Sequence, residues 1–89
     1  MPCFYLHLSV GGVFLPDEEG MVFPTLEVAR QAAIFGLRDT LAGEIWEGEL
    51  DIGSFIEIED ERQQLVDTVR FADAVMIVHS PPVERPSKP

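Results

Sequence analysis

The stretch CFYLHLSVGGVFLP, residues 3–16, constrains the fold more tightly than any other part of the chain. Phe4, Leu6, Leu8 and Val10 alternate with Tyr5, His7 and Ser9, the two-residue period of a strand with one buried face. Gly11-Gly12 then offers a two-residue turn in which positive φ carries no Cβ penalty. A turn of that length fixes the register: Val10 faces Val13, Ser9 faces Phe14 and Leu8 faces Leu15. Leu8, Val10, Val13 and Leu15 are therefore expected on the core face, with Tyr5, His7, Ser9 and Phe14 on the other. Pro16 ends the second strand because it has no N–H to donate.

The next element changes period. Thr25 suits a helix N-cap, and Glu27 falls in the first turn, where the helix dipole favours an anion. The expected helix runs from Leu26 to about Ala42, with Gly43 as its C-cap. At 100° per residue it carries two stripes. Leu26, Ala29, Ala33, Leu37 and Thr40 form one, and its small residues would let the helix lie close on a sheet. Val28, Ala32 and Phe35, continued by Trp46, form the other, roughly opposite. A helix on one side of a small sheet needs only one buried stripe. The second is then either covered by the Glu44–Ser54 connection, with Trp46 packed over it, or offered to a partner. Exposed aromatic clusters tend to be interfaces, which makes Val28, Ala32, Phe35 and Trp46 the candidate docking surface.

Beyond the helix, FIEIED alternates again, with Ile56 and Ile58 inward and Glu57 and Glu59 outward. EDERQQ is a polar turn. LVDTVRF reads as a further strand with Leu65, Val69 and Phe71 on one side, but Asp67 interrupts that side and leaves the register open. ADAVMIV either extends the sheet or forms a short helical turn. SPPVERPSKP holds four of the seven prolines and is expected to be a flexible tail, residues 80–89, after a single domain of residues 1–79. The order β-β-α-β-β, with strands joined as hairpins, implies an α+β domain of two layers: an antiparallel sheet with one main helix packed on one face. A chain of 89 residues buries only about 60–65% of its unfolded surface, so modest stability is expected.

Charge narrows the partners. Sixteen acidic residues against six Lys and Arg give a net charge of −10, and the only lysine is Lys88. Neither nucleic acid nor an anionic membrane surface suits such a chain, since both require a basic face. A protein partner or a second copy remains. One cysteine, Cys3, excludes an intrachain disulfide. With no signal-peptide pattern and no apolar run of about 18 residues, the expected location is the cytoplasm.

No constellation announces chemistry. Asp17-Glu18-Glu19-Gly20 fails the calcium-loop pattern, because Met21, Phe23 and Val28 stand where oxygen ligands belong. Adjacent acids on an extended loop also point apart, so the stretch reads as a solvated turn. Cys3 and His7 share a strand face, and His79 could join them if the chain end folds back, but the close-spaced ligand pair usual for zinc is missing. As nucleophile and base, Cys3 and His7 would stand roughly 13 Å apart, four strand rises of about 3.3 Å. There is no nucleophile elbow, phosphate loop or dinucleotide fingerprint. The expectation is a non-catalytic interaction or regulatory module without a cofactor, in its simplest form a homodimer. Two alternatives stay open: a small accessory enzyme or metal-binding protein using Cys3, His7 and His79, and an antitoxin-like or inhibitor protein whose Glu44–Glu61 segment, with Glu57, Glu59 and Glu61, meets a basic partner.

The segments MPCFYLHLSVGG, PDEEGMVFPTLEVARQAA and IEIEDERQQLVDTVRFADAV together resemble a family of short bacterial proteins catalogued as a domain of unknown function, number 6894, over about residues 1–78. The most specific part is the acidic turn, proline and Ala-rich helix: Asp17, Glu19, Gly20, Pro24, Leu26, Glu27 and Ala29. Two places depart from the family's pattern: Gly11-Gly12, where a more polar turn is usual, and DERQQ, where a glycine is usual. The resemblance implies this fold and a bacterial cytoplasmic origin, and implies no activity.

Overall fold

The computed structural model describes residues 2–86. Seven elements follow in chain order: β1 (Cys3–Val10), β2 (Val13–Leu15), β3 (Met21–Val22), α1 (Leu26–Trp46), β4 (Phe55–Glu59), β5 (Leu65–Arg70) and the short α2 (Phe71–Ala74). The sheet is antiparallel throughout, in the order β2-β1-β4-β5, and β3 pairs with β1 beyond the end of β2. One main helix packs on one face, so the α+β two-layer reading stands. The two-residue β3 is an addition, formed by MV of the MVFP stretch after the acidic turn. Residues 75–86 hold no helix or strand, and residues 87–89 of the expected tail lie outside the described residues.

The hairpin register is the one that its turn demands. Leu8 pairs with Leu15, Ser9 with Phe14 and Val10 with Val13, across Gly11 at φ 59° and Gly12 at φ 76°. What fails is the burial of β2. The helix packs on β1, β4 and β5, leaving Val13 54% and Leu15 50% exposed instead of joining the core. The core lies under α1, where Ala29, Ala33 and Leu37 are fully buried against Ile56, Ile58 and Val69. Leu41 completes the buried stripe, whereas Thr40 is half-buried and Leu26 sits at the exposed margin.

The helix also outruns its expected end. Gly43 stays inside it, and the chain turns instead at Gly48, φ 88°. Gly48 N–H donates to the Ile45 carbonyl at 3.0 Å and Glu49 N–H to the Glu44 carbonyl at 2.9 Å, the paired bonds of a glycine-terminated helix end. At the start, Thr25 Oγ1 accepts the Val28 N–H at 3.1 Å, as a cap should.

The register of β5 is settled by a bulge. Ile58 pairs with Asp67 and Glu59 with Leu65, which leaves Val66 as the extra residue. Asp67 therefore does face the helix, and it is tolerated there because Arg30 of α1 reaches it at 2.9 Å. The chain after β5 takes the helical alternative: Phe71 and Ala74 of α2 are buried at the end of the core.

Candidate functional site

The Glu44–Ser54 connection does not cover the second helix stripe. Glu44 Oε1 accepts the Asp51 N–H at 3.1 Å, and Asp51 Oδ2 accepts the Gly11 N–H at 2.9 Å. These bonds draw the connection towards the hairpin tip and away from the outer face of α1. Phe35 is consequently 62% exposed and Trp46 89% exposed, with Val28 exposed on the same face. Trp46 lies eleven residues beyond Phe35, about three full turns, so the two aromatic side chains rise from one side of the helix. Ala32 sits partly buried at the edge of this stripe, against the core. Arg38 flanks Phe35, its guanidinium 5.6 Å from the ring centre, while its Nε donates to the Ala74 carbonyl at 2.6 Å. All four candidate residues thus lie along one helix, three of them exposed, and the expected cover is absent.

The open face of the sheet is polar. Asp17 serves as a surrogate rung where β2 has ended and β3 has not begun. Its Oδ2 accepts the Leu6 N–H of β1 at 3.1 Å, and its Oδ1 accepts the Gly20 N–H at 3.0 Å and the Glu19 N–H at 3.2 Å. Burial by itself would push this carboxyl up; the donors Gly20, Leu6 and Glu19 outweigh it and hold the carboxyl below its ordinary value. The acidic turn is therefore an anchor, bent at Gly20 (φ 70°), where an added Cβ would meet the Tyr5 ring at 2.7 Å and the Cys3 sulfur at 2.8 Å. The Asp17 N–H donates to His7 Nδ1 at 2.9 Å, which places the imidazole proton on Nε2, where it meets Glu59. Phe14 leans on the imidazole, ring centres 5.8 Å apart. Both nitrogens of His7 are thus spent on structure.

Cys3 lies beside Tyr5, and the charge and hydrogen bonding of its sulfur push the Tyr5 phenol above its ordinary value. Among the described residues no three His, Cys, Asp or Glu side chains come together as a metal site. His79 is exposed on the segment after α2, and nothing joins it to Cys3 and His7 in the zinc grouping entertained from the sequence. A groove on the open face is lined by Tyr5, His7, Asp17, Glu18, Glu59 and Glu61. Its carboxylates are largely engaged: Glu59 with His7, Asp17 with the backbone, and Glu61 with the Cys3 N–H at 3.2 Å.

One polar cluster escaped the sequence reading. Arg30 joins Asp67 and, at 3.6 Å, Asp73 between α1, β5 and α2. The trace it leaves in the sequence is Asp67 itself, the acid that breaks an otherwise apolar strand face.

The family model described as Domain of unknown function (DUF6894) matches residues 3–72. No curated protein and no solved structure matches the chain.

Proposed function

The chain belongs to the DUF6894 family of unknown function, and from that premise we propose that it is a small non-catalytic interaction module docking through the outer face of α1. The observation that carries this reading is the exposure of Phe35 and Trp46 on the side of the helix opposite the core, with none of the described residues folded over them. Aromatic side chains of this size are the usual anchors of interfaces, and each contributes burial that a solvated surface forgoes. The first partner to test is a second copy, which would place two such stripes face to face. Light scattering across a concentration series tests it: wild type approaches twice the chain mass, and Phe35→Glu stays at one. If both proteins remain at one chain mass at every concentration, self-docking is refuted. Affinity capture with Phe35→Glu as the control bait then tests a different protein partner.

The acidic groove around Tyr5 supports a second reading, an inhibitor-like contact with a basic partner. Neutralising Glu57, Glu59 and Glu61 should weaken such capture and flatten its salt dependence, and unchanged binding would count against it. The single cysteine suits a reducing compartment, and we place the protein in the bacterial cytoplasm on that ground and on its resemblance to short bacterial proteins. No helix among the described residues is long and apolar enough to cross a membrane.

A further inference from the structure

The outer edge of β5 ought to be the sheet's open side. It is six residues long, contains no lysine or proline, and carries exposed Leu65 and Val66. Such an edge is a ready template for another strand. In an antiparallel ladder, alternate residues turn their N–H and C=O away from the partner strand. Phe71 N–H bonds the Ser54 carbonyl at 3.1 Å, which puts Val69 and Asp67 on the paired side and leaves Arg70 and Thr68 pointing off the sheet.

Three of those outward groups are occupied by side chains. Thr68 N–H donates to Asp67 Oδ1 at 2.8 Å, the Thr68 carbonyl accepts from Arg30 Nη1 at 3.4 Å, and Arg70 N–H donates to Asp73 Oδ2 at 2.9 Å. Arg30 in turn holds both acids, Asp67 at 2.9 Å and Asp73 at 3.6 Å. One guanidinium from α1 therefore keeps two carboxylates where they occupy the edge. The opposite edge needs no such cover, because it is broken into strands of three and two residues on either side of the Asp17 turn.

We infer that Arg30, Asp67 and Asp73 form a latch that withholds the β5 edge from strand pairing with a second copy of the chain. The strand is fit for that pairing. Two copies laid antiparallel about Thr68 set Val66 against Arg70 and Asp67 against Val69, with no like charges opposed. This inference is independent of docking through α1, and its test is run in a Phe35→Glu background so that the two surfaces read out separately.

The latch is opened by Arg30→Met with Asp67→Thr and Asp73→Ala, which removes all three charges, frees the Arg70 N–H and leaves no charge of the cluster unpaired. Sedimentation equilibrium should show at least tenfold tighter self-association than the Phe35→Glu parent. Adding Thr68→Pro, which deletes an outward N–H and no bond to β4, should return it to the parent's value. A latch-open protein that stays at one chain mass, or association that survives Thr68→Pro, overturns the inference. Hydrogen exchange on the wild type supplies a check that no variant can confound. The Thr68 and Arg70 amides should exchange at least tenfold more slowly than free-edge amides, and exchange at the free-edge rate overturns the latch equally.

Discussion

Among the described residues, Gln63 is the non-glycine residue at positive φ, 61°, in the tight turn between β4 and β5, where Gln63 N–H donates to the Asp60 carbonyl at 3.0 Å. The resemblance implies a glycine in that turn, and the positive φ at Gln63 is a conformation that glycine adopts without a Cβ penalty. A left-handed conformation costs a β-carbon-bearing residue about 1–2 kcal/mol, part of which glycine returns as extra freedom of the unfolded chain. Gln63→Gly should therefore raise stability by up to about 1 kcal/mol, a rise of several degrees in melting temperature for a domain of this size; an unchanged or lower value would show that the turn is unstrained. Asp17 makes a pH prediction of definite sign. Its folded carboxyl titrates below its unfolded value of about 3.9, so its contribution is complete above about pH 4 and is lost as pH falls through the lower folded value. Asp17→Asn should cost about 1–2 kcal/mol at pH 7, the scale of a lost cap. Urea unfolding should show the two proteins converging towards pH 2, and a gap that stays constant from pH 6 to pH 2 would refute the anchor role.

At the scale of elements, α1 separates packing from presentation. Leu37 is fully buried and Phe35, two residues away, is mostly exposed. Leu37→Ala should cost about 2–5 kcal/mol through lost contacts and a cavity, while Phe35→Ala should move the stability of the single chain by no more than about 0.5 kcal/mol. Comparable losses from both in dilute urea unfolding would mean that Phe35 packs in the fold after all. The sequence made some of this readable and hid the rest for physical reasons. The β1–β2 register follows from Gly11-Gly12 because a two-residue turn allows one pairing. The end of α1 does not follow, because Gly43 and Gly48 are equally good stops by composition, and only Gly48 has the outgoing chain that bonds back to Ile45 and Glu44. The exposure of Val13 and Leu15 depends on where the helix lies across the sheet, which no local pattern states. The second stripe of α1 was legible from helical phase. Its exposure was not, because that rests on long-range bonds from Asp51 to Gly11 and from Glu44 to Asp51.

For the whole molecule, the same charge acts on every mode of association and lets salt tell them apart. Each chain carries −10, so two copies repel at long range before any apolar stripe meets another. Raising ionic strength from about 0.02 to 0.3 M shortens the screening length from roughly 20 Å to under 10 Å and removes most of that repulsion. If copies dock through Phe35 and Trp46, the dimer constant should therefore rise with salt, because the contact is apolar and only the opposing charge is screened. If the acidic face around Glu57, Glu59 and Glu61 meets a basic partner, binding should fall over the same range, since screening then weakens the attraction itself. Light scattering for the first and titration calorimetry for the second give opposite slopes from one set of buffers. Self-association that weakens with salt would contradict an apolar helix interface, and would direct attention to pairing between Arg38 or Arg62 and the acids of a neighbouring copy.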